Sequence, residues 1–427
     1  MKKIKTILIL TAFTCALNAQ SWKTVYDHVK PTYEDVFVIE QDGSTKYTSV
    51  QDLSNVYNIV QYGAVGDGST DNTTAIQDAI DAAAANYGTV YIPHGVFKTG
   101  SLTVDYKINI VGDGKYSVLQ SNAAEPLLVS YASSYMDGAN GRYPHGRMFN
   151  FMLDGNEVGT IGIESTRMAL FNIDRVIIYD FTDIGFKLIG SLIGEVNHCE
   201  FRNCPILIYA DSVSNPVSQP NLVNIRNTQL IGASDYAVKW LNGSMLSFEN
   251  CDFESNGTAA DSTTGSIYFT TTDGIVGSNS VDFIGLTVQH CWFEQNVGNG
   301  IEIVESDVDV KFNVGIFNST FFINTQADSK IASIRVTAPN YETRVFSFRN
   351  NFSDSQTYRI IGANAHVTNI HSNYRGLVNT GGNFISSIDQ YGYLTPPSGA
   401  DPGDTSTAAG WATIYVGGTE YRIKLYQ

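Results

Sequence analysis

Two segments of the chain, Cys251-Asp252-Phe253-Glu254-Ser255 and Cys291-Trp292-Phe293-Glu294-Gln295, put carboxylates and an indole at matching positions. Two residues apart on an extended backbone, Asp252 and Glu254 face the same side. If the two segments are adjacent parallel strands, Glu254 and Glu294 stand side by side about 4.8 Å apart, with Asp252 and Trp292 next to them. Carboxylates that close repel and raise one pKa, as a general acid requires. An acid with a carboxylate partner is the usual means of glycoside hydrolysis. The Trp292 face would offer an apolar seat for a sugar ring. The other reading is structural. Phe-Glu-x-Asn recurs at both places, so the glutamates would accept backbone N–H groups at a turn while Asn256 and Asn296 stack as a ladder.

The elements that must position these residues repeat along the chain. Segments beginning at Cys199, Thr228, Cys251, Cys291, Ser319 and Asn350 align, with offsets of 29, 23, 40, 28 and 31 residues. Repeats of this length built from short strands mean a solenoid. A leucine-rich repeat has a tighter period and a Leu/Asn signature that is absent. The alignment sends Phe201, Leu230, Phe253, Phe293, Phe321 and Phe352 inward. It leaves two outward columns, Arg202–Ile231–Glu254–Glu294–Phe322 and Glu200–Gln229–Asp252–Trp292–Thr320. Arg202 joins Trp292 as a candidate substrate contact.

A second strand set is interleaved, with Gly185-Phe186-Lys187-Leu188, Pro205-Ile206-Leu207-Ile208, Ala237-Val238-Lys239-Trp240, Ser266-Ile267-Tyr268-Phe269, Gly300-Ile301-Glu302-Ile303 and Ser333-Ile334-Arg335-Val336. Each coil is thus expected to have two strands separated by a polar turn. The outward column reads Lys187, Leu207, Lys239, Tyr268, Glu302, Arg335. Lys239, Tyr268, Glu302 and Arg335 could serve a lyase: a cation neutralises a uronate carboxylate while Tyr or Lys removes the neighbouring proton. They equally describe a solvated face with weak ion pairs. Asp154 and His198 are further candidates, each read first as structural. Uneven offsets mark loops at 212–219 and 259–264, which can build a binding surface.

Ahead of the repeats, residues 69–85 carry Ala75, Ile76, Ala79, Ile80 and Ala83 on one face, which predicts a helix capped by Thr70 or Asp71 and ended by Gly88. Tyr62-Gly63-Ala64, Gly66-Asp67-Gly68, Thr70-Asp71, Ala75-Ile76, Ala79-Ile80 and Tyr91-Ile92-Pro93-His94-Gly95 follow in order. This stretch resembles the N-terminal start of the pectate-lyase superfamily, in its epimerase-like and rhamnogalacturonase-like branch. The resemblance implies an all-β, single-stranded right-handed parallel β-helix with an N-terminal capping α-helix. It identifies the fold and leaves the reaction open among glycosidases, lyases, epimerases and carbohydrate-binding spikes. A nucleotide loop does not fit these glycines, because no Gly-Lys-Ser/Thr follows.

Four regions are expected: a signal peptide at 1–19, a strand-rich lead-in at 20–56, the β-helix at 57–390, and a linker with a β-hairpin at 391–427. Lys2, Lys3 and Lys5 precede a short apolar run at 7–13, which suits a leader cleaved before Gln20 and not a membrane span. The residues before Cys15 fit a lipoprotein signal badly. An exported protein follows, extracellular or periplasmic. The C-terminal hairpin turns at Gly417-Gly418 and resembles the small strand units of phage tailspike-like proteins. It would cap the last coil or join three copies in a homotrimer.

The net charge is −16, with 38 Gly, 24 Tyr and 22 Phe. That charge argues against nucleic acid and anionic membranes, which need basic surfaces. It also disfavours a polyanionic substrate unless cations or a local basic patch intervene. Export permits disulfides, yet Cys251 and Cys291 on stacked strands point the same way, which suits a bond poorly, so buried free thiols are expected. Zinc-finger spacing is absent. No cofactor is named by the sequence, and a Ca²⁺ requirement stays open. Two functions are carried forward: a secreted enzyme that cleaves a polysaccharide by hydrolysis or β-elimination, and a non-catalytic glycan-binding or tailspike-like protein. The sugar and linkage are not legible.

Overall fold

In the computed structural model the chain describes residues 55–386, apart from residue 106 and residues 132–145, 215–216, 259–263, 272–282, 306–310, 323–330, 340–341, 354–355 and 373–376. Outside that range it describes the backbone of strands Ile9–Leu10, Val36–Gln41, Ser44–Ser49, Ala408–Val416 and Thr419–Tyr426. The expected leader cleavage site, Cys15, most of the 259–264 loop and the expected linker at 391–407 lie outside the described residues.

The chain winds as a right-handed parallel β-helix. Among the described residues its three sheets have 11, 11 and 13 strands, each strand pairing in parallel with its equivalents one coil away. This corrects the two-strand coil read from the sequence. The first sheet holds Glu200–Arg202, Gln229–Ile231, Asp252–Glu254, Trp292–Glu294 and Thr320–Phe322. The second holds Ile184–Ile189, Ile206–Asp211, Tyr236–Leu241, Gly265–Thr271 and Asn299–Glu305. The third, unseen in the sequence, holds Asn221–Arg226, Met245–Glu249, Phe283–Gln289, Lys311–Phe317 and Thr343–Phe348.

The first-sheet strands Glu200–Arg202, Gln229–Ile231, Asp252–Glu254 and Trp292–Glu294 are only three residues long because each is bracketed by left-handed corners. Around Asp252–Glu254 these are Asn250 at φ 54° and Ser255 at φ 55°. A single residue in that conformation turns the chain sharply, and Asn tolerates it well. The side chains of the three-residue strand then run out, in, out. The inward residue is the aromatic: Phe253 and Phe293 are fully buried, stacked at 4.6 Å between ring centroids, and Phe321 continues the stack at 4.4 Å. All six inward residues expected from the repeats are buried. The inner corner is sealed by the asparagine ladder. Asn296 Oδ1 accepts from the Asn256 backbone N–H at 3.0 Å and its amide at 2.9 Å, while Asn296 Nδ2 donates to the Phe253 carbonyl.

The capping helix, α1, spans Thr73–Ala85 and buries Ile76, Ala79, Ile80 and Ala83 against Val56–Asn58 and the strands behind it. It starts four residues later than expected, because Asp67–Asp71 pairs as the outermost strand of the first sheet. Asp71 still serves the helix start: its Oδ1 accepts from the Thr73 N–H at 2.9 Å. Asn72 is buried and clasps the entry loop instead, accepting from Val65 N–H and donating to the Thr70 carbonyl. At the far end the Gly88 N–H closes on the Ala83 carbonyl, and a Cβ at Gly88 would lie 2.5 Å from the Tyr57 ring. Cys199, Cys204, Cys251 and Cys291 are free and buried, and burial pushes the Cys199 and Cys204 thiols up to about 12.

Val36–Gln41 and Ser44–Ser49 pair as an antiparallel hairpin, with Ile9–Leu10 alongside in parallel. The 212–219 loop carries a small hairpin of Val213–Ser214 and Val217–Ser218. Ala408–Val416 and Thr419–Tyr426 pair antiparallel, as the Gly-Gly turn implies.

Candidate functional site

The first-sheet columns have the register read from the sequence. Asp252 faces Trp292, Glu254 faces Glu294, and Ile231 and Phe322 flank them on the next coils. Asp252 is half-buried, and its Oδ1 is shut off from solvent with no hydrogen-bond partner. Burial is the main cause that raises its pKa, the Glu254 charge adds to it, and the Gln229 amide opposes. Trp292 is 42% exposed and its indole N–H donates to Glu294 Oε2 at 2.9 Å. Among the hydrogen bonds of the described residues, neither Glu254 nor Glu294 accepts a backbone N–H. The structural role expected for Phe-Glu-x-Asn therefore falls on the asparagines alone. Arg202 lies two coils away from Glu254, paired with Glu200 at 3.0 Å and 5.5 Å from the Tyr179 ring centroid, apart from the carboxylates.

The second sheet gathers different chemistry. Tyr209, not Leu207, faces Lys187 and Lys239; Leu207 is fully buried. The expected alignment slipped by two residues, because these strands begin with three buried positions before the first outward one. From there the column continues Lys239, Tyr268, Glu302, Arg335 as read. Lys239 binds Asp235 at 2.6 Å and Lys187 binds Glu164 at 2.8 Å. Glu302 is only 4% exposed: Tyr236 Oη donates to its Oε2 at 2.6 Å, Asn299 donates at 2.9 Å, and Arg335 sits 3.1 Å from Oε1. Burial raises the Glu302 pKa against these three partners. Glu302 is thus a buried anchor rather than an outward acid. Burial and the Glu302 charge hold the Tyr268 hydroxyl protonated well above neutral pH.

The two lone candidates each have a partner within the coil stack. Asp154 is buried, accepting from the Gln120 amide and the Asn156 N–H at 2.8 Å each. His198 occupies a left-handed corner and lies 3.5 Å from Asp174. Among the described residues no group of three His, Cys, Asp or Glu side chains converges to hold a metal ion. No described helix is long and apolar enough to cross a membrane.

Comparison with known proteins agrees with this architecture. Residues 56–183 match the family described as Rhamnogalacturonase A/epimerase, pectate lyase-like. Over that stretch, the capping helix and the first coils, the chain is similar to pectate-lyase-like proteins. Its similarity to curated proteins is local. An exo-poly-alpha-D-galacturonosidase of Dickeya chrysanthemi is 40% identical over 99 residues, 23% of this chain and 16% of that protein. Mannuronan C5-epimerase AlgE2 of Azotobacter vinelandii is 48% identical over 67 residues, 14% of this chain and 7% of that one. The matched stretch therefore spans less than a fifth of either relative. Among solved structures, an Acinetobacter phage tailspike aligns over 98% of this chain and 76% of its own, with a TM-score of 0.57 at 10% identity. The A-module of mannuronan C-5 epimerase AlgE6 from Azotobacter vinelandii aligns over 80% and 100%, with a TM-score of 0.53 at 15% identity. At these identities the likeness is one of fold.

Within this β-helix, three features escaped the sequence reading. Tyr209 was hidden by the two-residue slip. Tyr236 reads as a core residue at a strand start, and only the fold brings it to Glu302, 66 residues away. The outward residues of the third sheet were not separated from the first, because one corner residue joins the two strands.

Proposed function

We propose that this pectate-lyase-like chain cleaves a polysaccharide by glycoside hydrolysis at the face built by Asp252, Glu254, Trp292 and Glu294. One observation carries the reading: a half-buried carboxyl with a raised pKa and an unpaired oxygen, in register with an exposed indole and flanked by two further carboxylates. Asp252 is the general acid that protonates the leaving oxygen, a role the sequence reading gave to the glutamates. Glu254 is its partner, activating water or attacking the anomeric carbon. Glu294 holds the Trp292 ring against which the sugar rests. The relatives' names, a galacturonosidase, mannuronan epimerases and an alginate lyase, support a carbohydrate substrate. A leader at 1–19 would deliver the protein outside the cytoplasm, where such polymers lie.

A second reading rests on the other face. Lys187, Tyr209, Lys239 and Tyr268 align cations and hydroxyls on successive coils, with Arg335 beyond the buried Glu302, in a protein of net charge −16. Each cation is paired with a carboxylate (Lys187 with Glu164, Lys239 with Asp235, Arg335 with Glu302), and a uronate that displaced those partners would meet a column suited to β-elimination or epimerisation. A polysaccharide panel read for reducing ends and ultraviolet absorbance separates the two, since elimination alone leaves an unsaturated product. Loss of cleavage in Asp252→Asn with retention in Lys239→Ala supports hydrolysis; the reverse supports a lyase. A polymer bound and never cut leaves the glycan-binding alternative. The C-terminal hairpin is proposed to join copies of the chain. Light scattering should show a trimer for the full chain and a monomer for residues 1–390; equal monomer masses exclude it.

A further inference from the structure

The third sheet carries a cleft of about 600 Å³ near the C-terminal coils, on a different sheet from both faces described above. Its floor is Gly315, which stands in one outward column between Thr287 on the coil before and Phe346 on the coil after. A Cβ at Gly315 would lie 2.4 Å from the Phe317 ring, so the missing side chain is what leaves the hollow open. One wall is aromatic. Phe346 is 38% exposed, with its ring centroid 6.0 Å from that of Phe317. An outward Phe at this exposure forgoes the burial that usually justifies it.

The opposite wall is polar. Asn313, Arg344 and His366 stand in one column on three successive coils. Arg344 Nε and Nη2 both meet Glu342 Oε1 at 2.7 Å, yet the Arg344 side chain stays 63% exposed. The pair is close to neutral and offers N–H donors beside a carboxylate acceptor. His366 Nδ1 lies 3.0 Å from the Asn383 amide nitrogen. If Nδ1 accepts that bond, the neutral ring carries its proton on Nε2.

We propose that this cleft is a non-catalytic binding subsite for a neutral hexopyranose unit of a glycan. A pyranose has an apolar face of C–H groups and an edge of vicinal hydroxyls, each both donor and acceptor. The Phe346 ring takes the face, and the Arg344–Glu342 pair takes the hydroxyls. Neutralisation of Arg344 by Glu342 is what favours a neutral sugar over a uronate.

The test is calorimetric titration of the full chain with cellohexaose, mannohexaose and hexagalacturonate, repeated on Phe346→Ala and Arg344→Ala. Both side chains are exposed, so melting temperature and light-scattering mass should not move. The expected result is that a neutral hexamer binds and that each substitution weakens it about tenfold. Turnover at the carboxylate face is expected to be unchanged on short substrates. Wild-type affinity in both variants, no binding of either neutral hexamer, or Phe346 dependence for hexagalacturonate alone would overturn the proposal. A lower molar mass in Phe346→Ala would overturn it too, by making this face a contact between copies of the chain.

Discussion

Asp252 and Trp292 face each other on adjacent coils, so a half-buried carboxyl lies beside an indole that Glu294 fixes by its N–H. The register follows from the Phe253–Phe293 stack beneath: once those rings are seated, the residues on either side of each point outward together. A packing event thus places the proposed acid next to the proposed sugar platform.

Replacing Trp292 by Ala removes the platform and leaves the carboxylates. The expected effect is on binding: KM on the best polymer rises about tenfold, since stacking of this kind contributes about 1 kcal/mol or more. Steady-state kinetics checks it. A fall in kcat at constant KM would place Trp292 elsewhere in the mechanism.

The raised pKa of Asp252 sets a pH dependence. Above the ordinary carboxylate value of 3.8 and up to the folded value, the folded protein holds a proton that the unfolded chain releases. Stability is therefore lost as pH rises through that window, and Asp252→Asn should flatten the loss and melt higher than wild type at neutral pH. Thermal melts from pH 4 to pH 8 test this. In the same range wild-type kcat should fall with rising pH as the acid deprotonates.

The two halves of Phe-Glu-x-Asn should separate by mutation. Asn296→Ala removes three hydrogen bonds of the ladder and strands buried groups of Asn256 and Phe253, so a loss of about 3 kcal/mol is expected. Glu294→Gln, on a partly exposed side chain, should barely shift the urea midpoint. Equal destabilisation by both would return the glutamate to a structural role.

How far the fold could be read depended on where the chain turns. The first sheet was legible because Cys-x-Phe-x segments repeat the same out-in-out order, which fixed Glu254 against Glu294. The third sheet was not. Its strands end in corners of one residue, and while Asn227 and Asn250 hint at a turn, His290 and Arg349 do not. Two strands joined that way read as one run. Leu207 was misplaced because Ile206-Leu207-Ile208 is apolar throughout, so alternation could not set its phase. Glu302 was placed in its column correctly, but its burial depends on Tyr236 and Asn299 from other positions, and spacing does not encode that.

The most direct test is paired turnover and melting of Asp252→Asn and Glu254→Gln on whichever polysaccharide the wild-type protein cleaves. The account predicts a fall in kcat of about 10²–10⁴ for each, with folded structure retained and, for Asp252→Asn, a higher melting temperature at neutral pH. Near-normal turnover in both variants, with cleavage lost instead in Lys239→Ala, would contradict it.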